Sequence, residues 1–195
     1  MLSRFARPLA LALAVCAAAG CASTPSRFYT LDSTVTAGDP PAGSLTLVVG
    51  PITVPASVDR PQMVVQVAPN RVELDEFHRW AAPLNDSIGR VVAGDLSVLL
   101  GTPEVSTAGV VNFNPTYSVT IDVQRFESIP NESVLLEALW VVYASAGGPG
   151  RSGRTLARET VQGDGYEAIA AAHSRALAQL SADIAAAIRS AQAQR

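Results

Sequence analysis

Residues 117–123 read Tyr117-Ser118-Val119-Thr120-Ile121-Asp122-Val123, apolar and polar in strict alternation. A period of two marks a strand with one buried face. Upstream the period changes. Ile88, Val91, Val92, Leu96, Leu99 and Leu100 recur at helical spacing; Asn85 or Asp86 is placed to cap the start, and Gly101 with Pro103 stops the run. Further strands are expected at residues 45–49, extended through Ile52-Thr53-Val54, and at 63–67 and 71–74, which form a hairpin across Pro69-Asn70. A short strand is expected near 104–106. Residues 135–144 are apolar almost throughout and read as a central strand buried on both faces, Gly147-Gly148-Pro149-Gly150 as a hairpin tip, and 156–161 as a further strand. Residues 166–191 are alanine-rich, with Ile169, Leu177, Leu180, Ile184 and Ile188 on one stripe, a long closing helix. The expected class is α+β: a mostly antiparallel sheet of about six strands, order βββα-βββα, with two long helices packed on one face. Residues 44–195 form its single domain.

Composition narrows the function. The chain has 195 residues, 48% of them hydrophobic and 16% charged, which suits one folded domain and argues against disorder. Its 14 basic residues are all arginine, scattered along the chain and outnumbered by 17 acids. Nucleic acid is therefore not an expected partner.

The first twenty residues read as a leader. Arg4 and Arg7 precede an unbroken apolar run over residues 9–19, too short for a bilayer span of roughly 20 residues. Ala18-Ala19-Gly20-Cys21 follows and resembles the bacterial lipobox, with alanine at 18 where leucine is commoner. That resemblance implies cleavage before Cys21 and covalent lipid on its thiol. Cys16 is the rival; it follows the bulky Val15 and lies inside the apolar run. With residues 1–20 removed, Cys21 is the sole cysteine and no disulfide can form. Several acyl chains, each contributing about 0.8 kcal/mol per buried methylene, make a durable anchor. Ala22 and Ser23 follow, with no aspartate to retain the lipoprotein at the inner membrane, so the resemblance implies the periplasmic face of the outer membrane. Residues 21–43, which include Asp39-Pro40-Pro41, read as the lipidated terminus and tether.

Signals for chemistry are weak. His78 and His173 are far apart and lack carboxylates at ligand spacing. Ser87, Ser97 and Ser174 lie in no nucleophile-elbow pattern. Asp75 and Glu76 are adjacent on a strand and point to opposite faces. Gly163-Asp164-Gly165 lacks the glycine spacing and lysine of a phosphate loop and reads as a turn opening a helix. No enzyme activity, metal or cofactor is expected beyond the lipid on Cys21.

Residues 50–84 carry the most specific pattern. They contain Gly50-Pro51-Ile52-Thr53-Val54-Pro55, then Val58-Asp59-Arg60-Pro61-Gln62, then Phe77-His78-Arg79-Trp80-Ala81-Ala82-Pro83-Leu84, with Tyr29-Thr30-Leu31 upstream. In this order, behind a lipobox, they resemble the PqiC/YmbA family of ABC-type transport auxiliary lipoproteins over essentially the whole mature chain. The resemblance implies a docking subunit of a mammalian-cell-entry (MCE) transport system, which moves phospholipid or other apolar molecules between membranes and supports envelope integrity. It also implies an MCE-domain partner and ring-like self-association. Arg60, Pro61, Gln62, Arg79 and Trp80 are the partner-binding candidates. Pro55 and Pro61 stiffen the loop that aims Arg60, whose guanidinium can make a bidentate contact with a carboxylate, and Trp80 beside Arg79 has the composition of an interface anchor. Within the fold, Trp80 could equally plug the core beneath the first helix, and Arg60 could pair with Asp59, Glu73 or Asp75. A periplasmic lipid-binding carrier is the alternative function.

Overall fold

A computed structural model describes residues 24–36, 45–107 and 114–194. The leader, Cys16, Cys21 and Asp39-Pro40-Pro41 lie outside the described residues. The described chain forms β1 (Arg27–Tyr29), β2 (Leu47–Thr53), β3 (Gln62–Ala68), β4 (Arg71–Trp80), α1 (Leu84–Leu100), β5 (Val105–Ser106), β6 (Tyr117–Ile129), β7 (Ser133–Ala144), β8 (Arg151–Thr160) and α2 (Gly165–Gln192). The α+β class and the helix on each side of the β5–β8 run follow the sequence pattern.

The strands divide into two sheets, a five-stranded one ordered β5-β2-β6-β7-β8 and a three-stranded one ordered β1-β4-β3. Both helices cover one face of the larger sheet and touch each other, α1 over β2 and β5, α2 over β7 and β8. That face presents Val119, Ile121 and Val123 of β6 with Val134, Leu136, Ala138, Trp140 and Val142 of β7, all buried. Against it α1 buries Ile88, Val92, Leu96 and Leu100, and α2 buries Ile169, Leu177, Leu180, Ile184 and Ile188. Burying each such side chain contributes roughly 1.5–3 kcal/mol. Where α1 approaches β2 at Gly89, a Cβ would stand 2.9 Å from Ile52 Cδ1, so the tip of that side chain would have to move aside.

Several expectations are corrected. The hairpin over Pro69-Asn70 forms as β3 and β4, but β4 runs on to Trp80. β2 does not join that hairpin: it leaves for the other sheet and pairs in parallel with β6, Leu47 opposite Tyr117, and with β5. The antiparallel rule holds where a short turn links neighbours, at β3–β4, β6–β7 and β7–β8. α1 starts at Leu84 with Pro83 as its cap residue, so neither Asn85 nor Asp86 caps it; Gly101 ends it in the left-handed conformation at φ 62°. β7 is buried on both faces only at its start, where Ser133 and Leu135 are covered as well as Val134 and Leu136. Leu139 and Tyr143 point outward and are exposed, because both helices lie on the opposite side.

The segment read as a tether contributes to the fold. β1 pairs in parallel with β4, Arg27 opposite His78 and Tyr29 opposite Trp80. Leu31 is fully buried, its carbonyl accepts from Arg90 Nη2 at 3.0 Å, and the Asp32 amide donates to Ser174 Oγ at 3.1 Å.

Candidate interaction surface

The loop from β2 to β3 folds back on Pro55, whose carbonyl accepts the amides of Val58 and Asp59 at 3.0 and 3.1 Å. It is tied to the end of β4 by the Trp80 amide, which donates to the Pro61 carbonyl at 2.8 Å. Between them lies an open groove of about 350 Å³ lined by Asp59, Arg60, Pro61, Trp80 and the Ala81–Leu84 turn. Arg60, Pro61 and an edge of Trp80 therefore meet in one place. Gln62 and Arg79 stand opposite each other in register beside it. Both bind Glu76, Gln62 Nε2 at 3.1 Å and Arg79 Nη2 at 3.2 Å.

The two alternatives for Trp80 and Arg60 resolve differently. The body of Trp80 is a core residue: its ring packs edge-on against Phe126 and His173 at 6.1 and 6.3 Å. Arg60 is exposed and makes no ion pair among the described residues; its Nη2 reaches the Ala56 carbonyl at 3.4 Å.

A second cluster was illegible in the sequence. Tyr29 and His78 share a hydrogen bond of 2.6 Å between the hydroxyl and Nδ1, and the imidazole stacks on Tyr166 at 4.0 Å. Tyr166 donates to Asp75 Oδ2 at 3.1 Å, while Asp75 Oδ1 accepts the amides of Phe77 and His78. Burial, reinforced by the Asp75 carboxylate, pushes the Tyr166 phenol up to about 12. Slight burial works against the Asp75 charge, but its donors and nearby His78 outweigh it and hold the carboxyl below the usual value. Asp75 and Glu76 thus turn to different partners, one inward and one to Arg79, so they do not form a catalytic pair. His78 is clamped between two tyrosines at the foot of α2, an arrangement that fastens β1 and β4 to the helix. No sequence signal joins residues 49 and 91 positions apart.

The remaining polar candidates are structural in their contacts. His173 is fully buried, stacked 3.7 Å from Phe126 and hydrogen-bonded through Nε2 to Ser128 Oγ at 2.8 Å. Desolvation lowers its pKa to about 3. Ser97 Oγ donates to the Thr102 carbonyl, and Ser174 Oγ to the Ala170 carbonyl. Gly163 and Gly165 take φ of 96° and 80°, as a turn into α2 demands, and Asp164 makes no side-chain cap bond. Among the described residues no cluster of three or more histidine, cysteine or acidic side chains is arranged to hold a metal ion, and no helix is long and apolar enough to cross a membrane.

The sequence over residues 29–185 matches the family model of the ABC-type transport auxiliary lipoprotein component. The chain belongs to that family. The match begins at Tyr29, the first residue of the Tyr-x-Leu element and the one that binds His78. The family is described by a role in transport. Two solved structures share its fold. An uncharacterized protein is 20% identical, with a TM-score of 0.69 over 85% of this chain and 99% of the other. A Xanthomonas campestris protein is 21% identical, also at 0.69, over 82% and 93%. No curated protein matches.

Proposed function

We propose that this auxiliary lipoprotein is acylated at Cys21, held at the periplasmic face of the outer membrane, and serves as the docking subunit of an MCE-type intermembrane lipid transport system. The observation that carries the docking role is the convergence of Arg60, Pro61, Gln62, Arg79 and the rim of Trp80 where β3 begins and β4 ends. Trp80 stiffens the site from beneath, and the exposed Arg60 guanidinium beside it is a bidentate donor for a partner carboxylate. A lipid carrier would need an enclosed apolar cavity, whereas the layer between the large sheet and its helices is filled by Leu, Ile, Val and Trp side chains. Self-association into a ring is part of the same proposal.

The test is photocrosslinking in intact envelopes from probes at Arg60 and Gln62, with a Cys21→Ser chain beside the native one. The expected result is capture of an MCE-domain protein, a Cys21→Ser product that leaves the membrane fraction, and detergent-sensitive cells on deletion. Capture of no MCE-domain protein with a correctly anchored chain would overturn docking. A Cys21→Ser chain that keeps the native mass and membrane fractionation would overturn the anchor.

A further inference from the structure

Phe28 is 63% exposed although it sits in a strand, with Tyr29 beside it turned inward to His78. β1 pairs Phe28 with Arg79, so the outward face of Phe28 is also that of Phe77, two residues before Arg79 and 43% exposed. Two phenylalanines thus share one face at the β1 edge of the three-stranded sheet. Arg27, paired with His78, alternates to the other side of the strand, where it lines a groove with Asp32 and Glu167. Arg79 on that face is already bound to Glu76.

The position of this edge says what covers it. Phe28 lies seven residues after Cys21, so a fully extended chain places it at most about 25 Å from the acylated terminus. β1 is not free to swing away. It is fixed by its pairing to β4, by the Ala81 amide donating to the Tyr29 carbonyl at 2.9 Å, and by buried Leu31. A chain anchored at Cys21 therefore holds this edge close to the bilayer for as long as it is folded.

We infer that the β1 edge rests on the membrane that holds the anchor, with Phe28 and Phe77 set into the headgroup–acyl boundary. Aromatic rings with one open face suit that boundary. Arg79, tied to Glu76, borders this face, so the contact fixes the tilt of the body and leaves Arg60 and Pro61 of the β2–β3 loop as the part of the candidate surface turned to the periplasm. This inference rests on the acylation of Cys21 proposed above.

The experiment uses the full lipidated chain carrying Phe28→Cys, Phe77→Cys or, as reference, Leu156→Cys on the outward face of the large sheet, where the native residue is 58% exposed. Each thiol receives an environment-sensitive fluorophore, and the protein is reconstituted into vesicles of phosphatidylethanolamine and phosphatidylglycerol. Probes at 28 and 77 should be quenched severalfold more by doxyl-labelled lipid, and severalfold less by aqueous iodide, than the probe at 156. A vesicle-bound chain whose three probes are equally open to iodide overturns the membrane contact alone. Shielding at 28 and 77 without doxyl quenching, with crosslinks between copies, assigns the face to a second copy and overturns it too. A mature chain lacking acyl mass overturns the anchor and this surface together.

Discussion

The rings of Phe126 and His173 lie flat on each other, 3.7 Å between centroids and 6° from parallel, sealed under the edge of Trp80. The pair closes the junction between the two sheets and α2. An imidazole placed there stays neutral because ionising it would require water that the site excludes.

That has a consequence for stability against pH. The His173 pKa is about 3 in the folded chain against 6.5 ordinarily, so between those values the unfolded chain binds a proton that the folded chain refuses. Stability supplied by the neutral ring is present above about pH 6.5 and is lost as pH falls, by at most about 1.4 kcal/mol per pH unit. Asp95 works the other way. Burial raises its carboxyl against the hydrogen bonds from Ser33 and Ser181, so acid relieves a penalty there. Comparison with His173→Gln separates the two. The variant should be less stable near neutrality yet lose less between about pH 6 and about pH 4 in urea titrations. Parallel pH profiles for the two proteins would refute the assignment.

Gly153 faces Trp140 across the β7–β8 ladder, and a Cβ there would lie 2.1 Å from the indole ring. The indole cannot move freely aside, since Nε1 donates to Thr155 Oγ1 at 3.1 Å and that hydroxyl donates to Asp183 on α2 at 2.6 Å. Gly153→Ala should therefore destabilise the chain by about 2 kcal/mol through a displaced ring. Near-ultraviolet circular dichroism should report altered Trp140 packing, and thermal unfolding the loss. A variant with the native spectrum and midpoint would mean that the ring has room to spare.

Much of the fold was legible because it is local. Met63–Val67 and Arg71–Leu74 could be paired from one turn, and both helices from their stripes and, for α1, from Gly101 at its end. The pairing of Leu47 with Tyr117 was not, since parallel strands leave no turn between them to read. Nor was the division into two sheets. It depends on β2 crossing to β6, and an alternating strand is compatible with either neighbour. Of the candidate surface, Arg60, Pro61, Gln62, Arg79 and Trp80 were legible as a motif, while their convergence depends on the Pro61–Trp80 backbone bond. The burial of Trp80 and the Tyr29–His78–Tyr166–Asp75 cluster depend on tertiary contacts that no spacing encodes.

Leu31 tests how the terminus is fastened. A residue expected in a loose tether is instead fully buried, between β1 and a backbone clasp made by Arg90 and Ser174. Leu31→Ala should cost about 3 kcal/mol from lost burial and the cavity left behind. If the side chain is the bolt that holds β1, the damage extends to the clasp. The Ala81 amide, which donates to the Tyr29 carbonyl, and the Asp32 amide should then exchange with solvent much faster than amides of the β6–β7 ladder in the same variant. Equal acceleration everywhere would make Leu31 an ordinary core residue. Selective opening would show that a short stretch after the cysteine decides whether the body is held at a fixed attitude or swings on a longer leash. In the docking role proposed above, that difference sets whether the Arg60 groove is presented to a partner in one direction or in many.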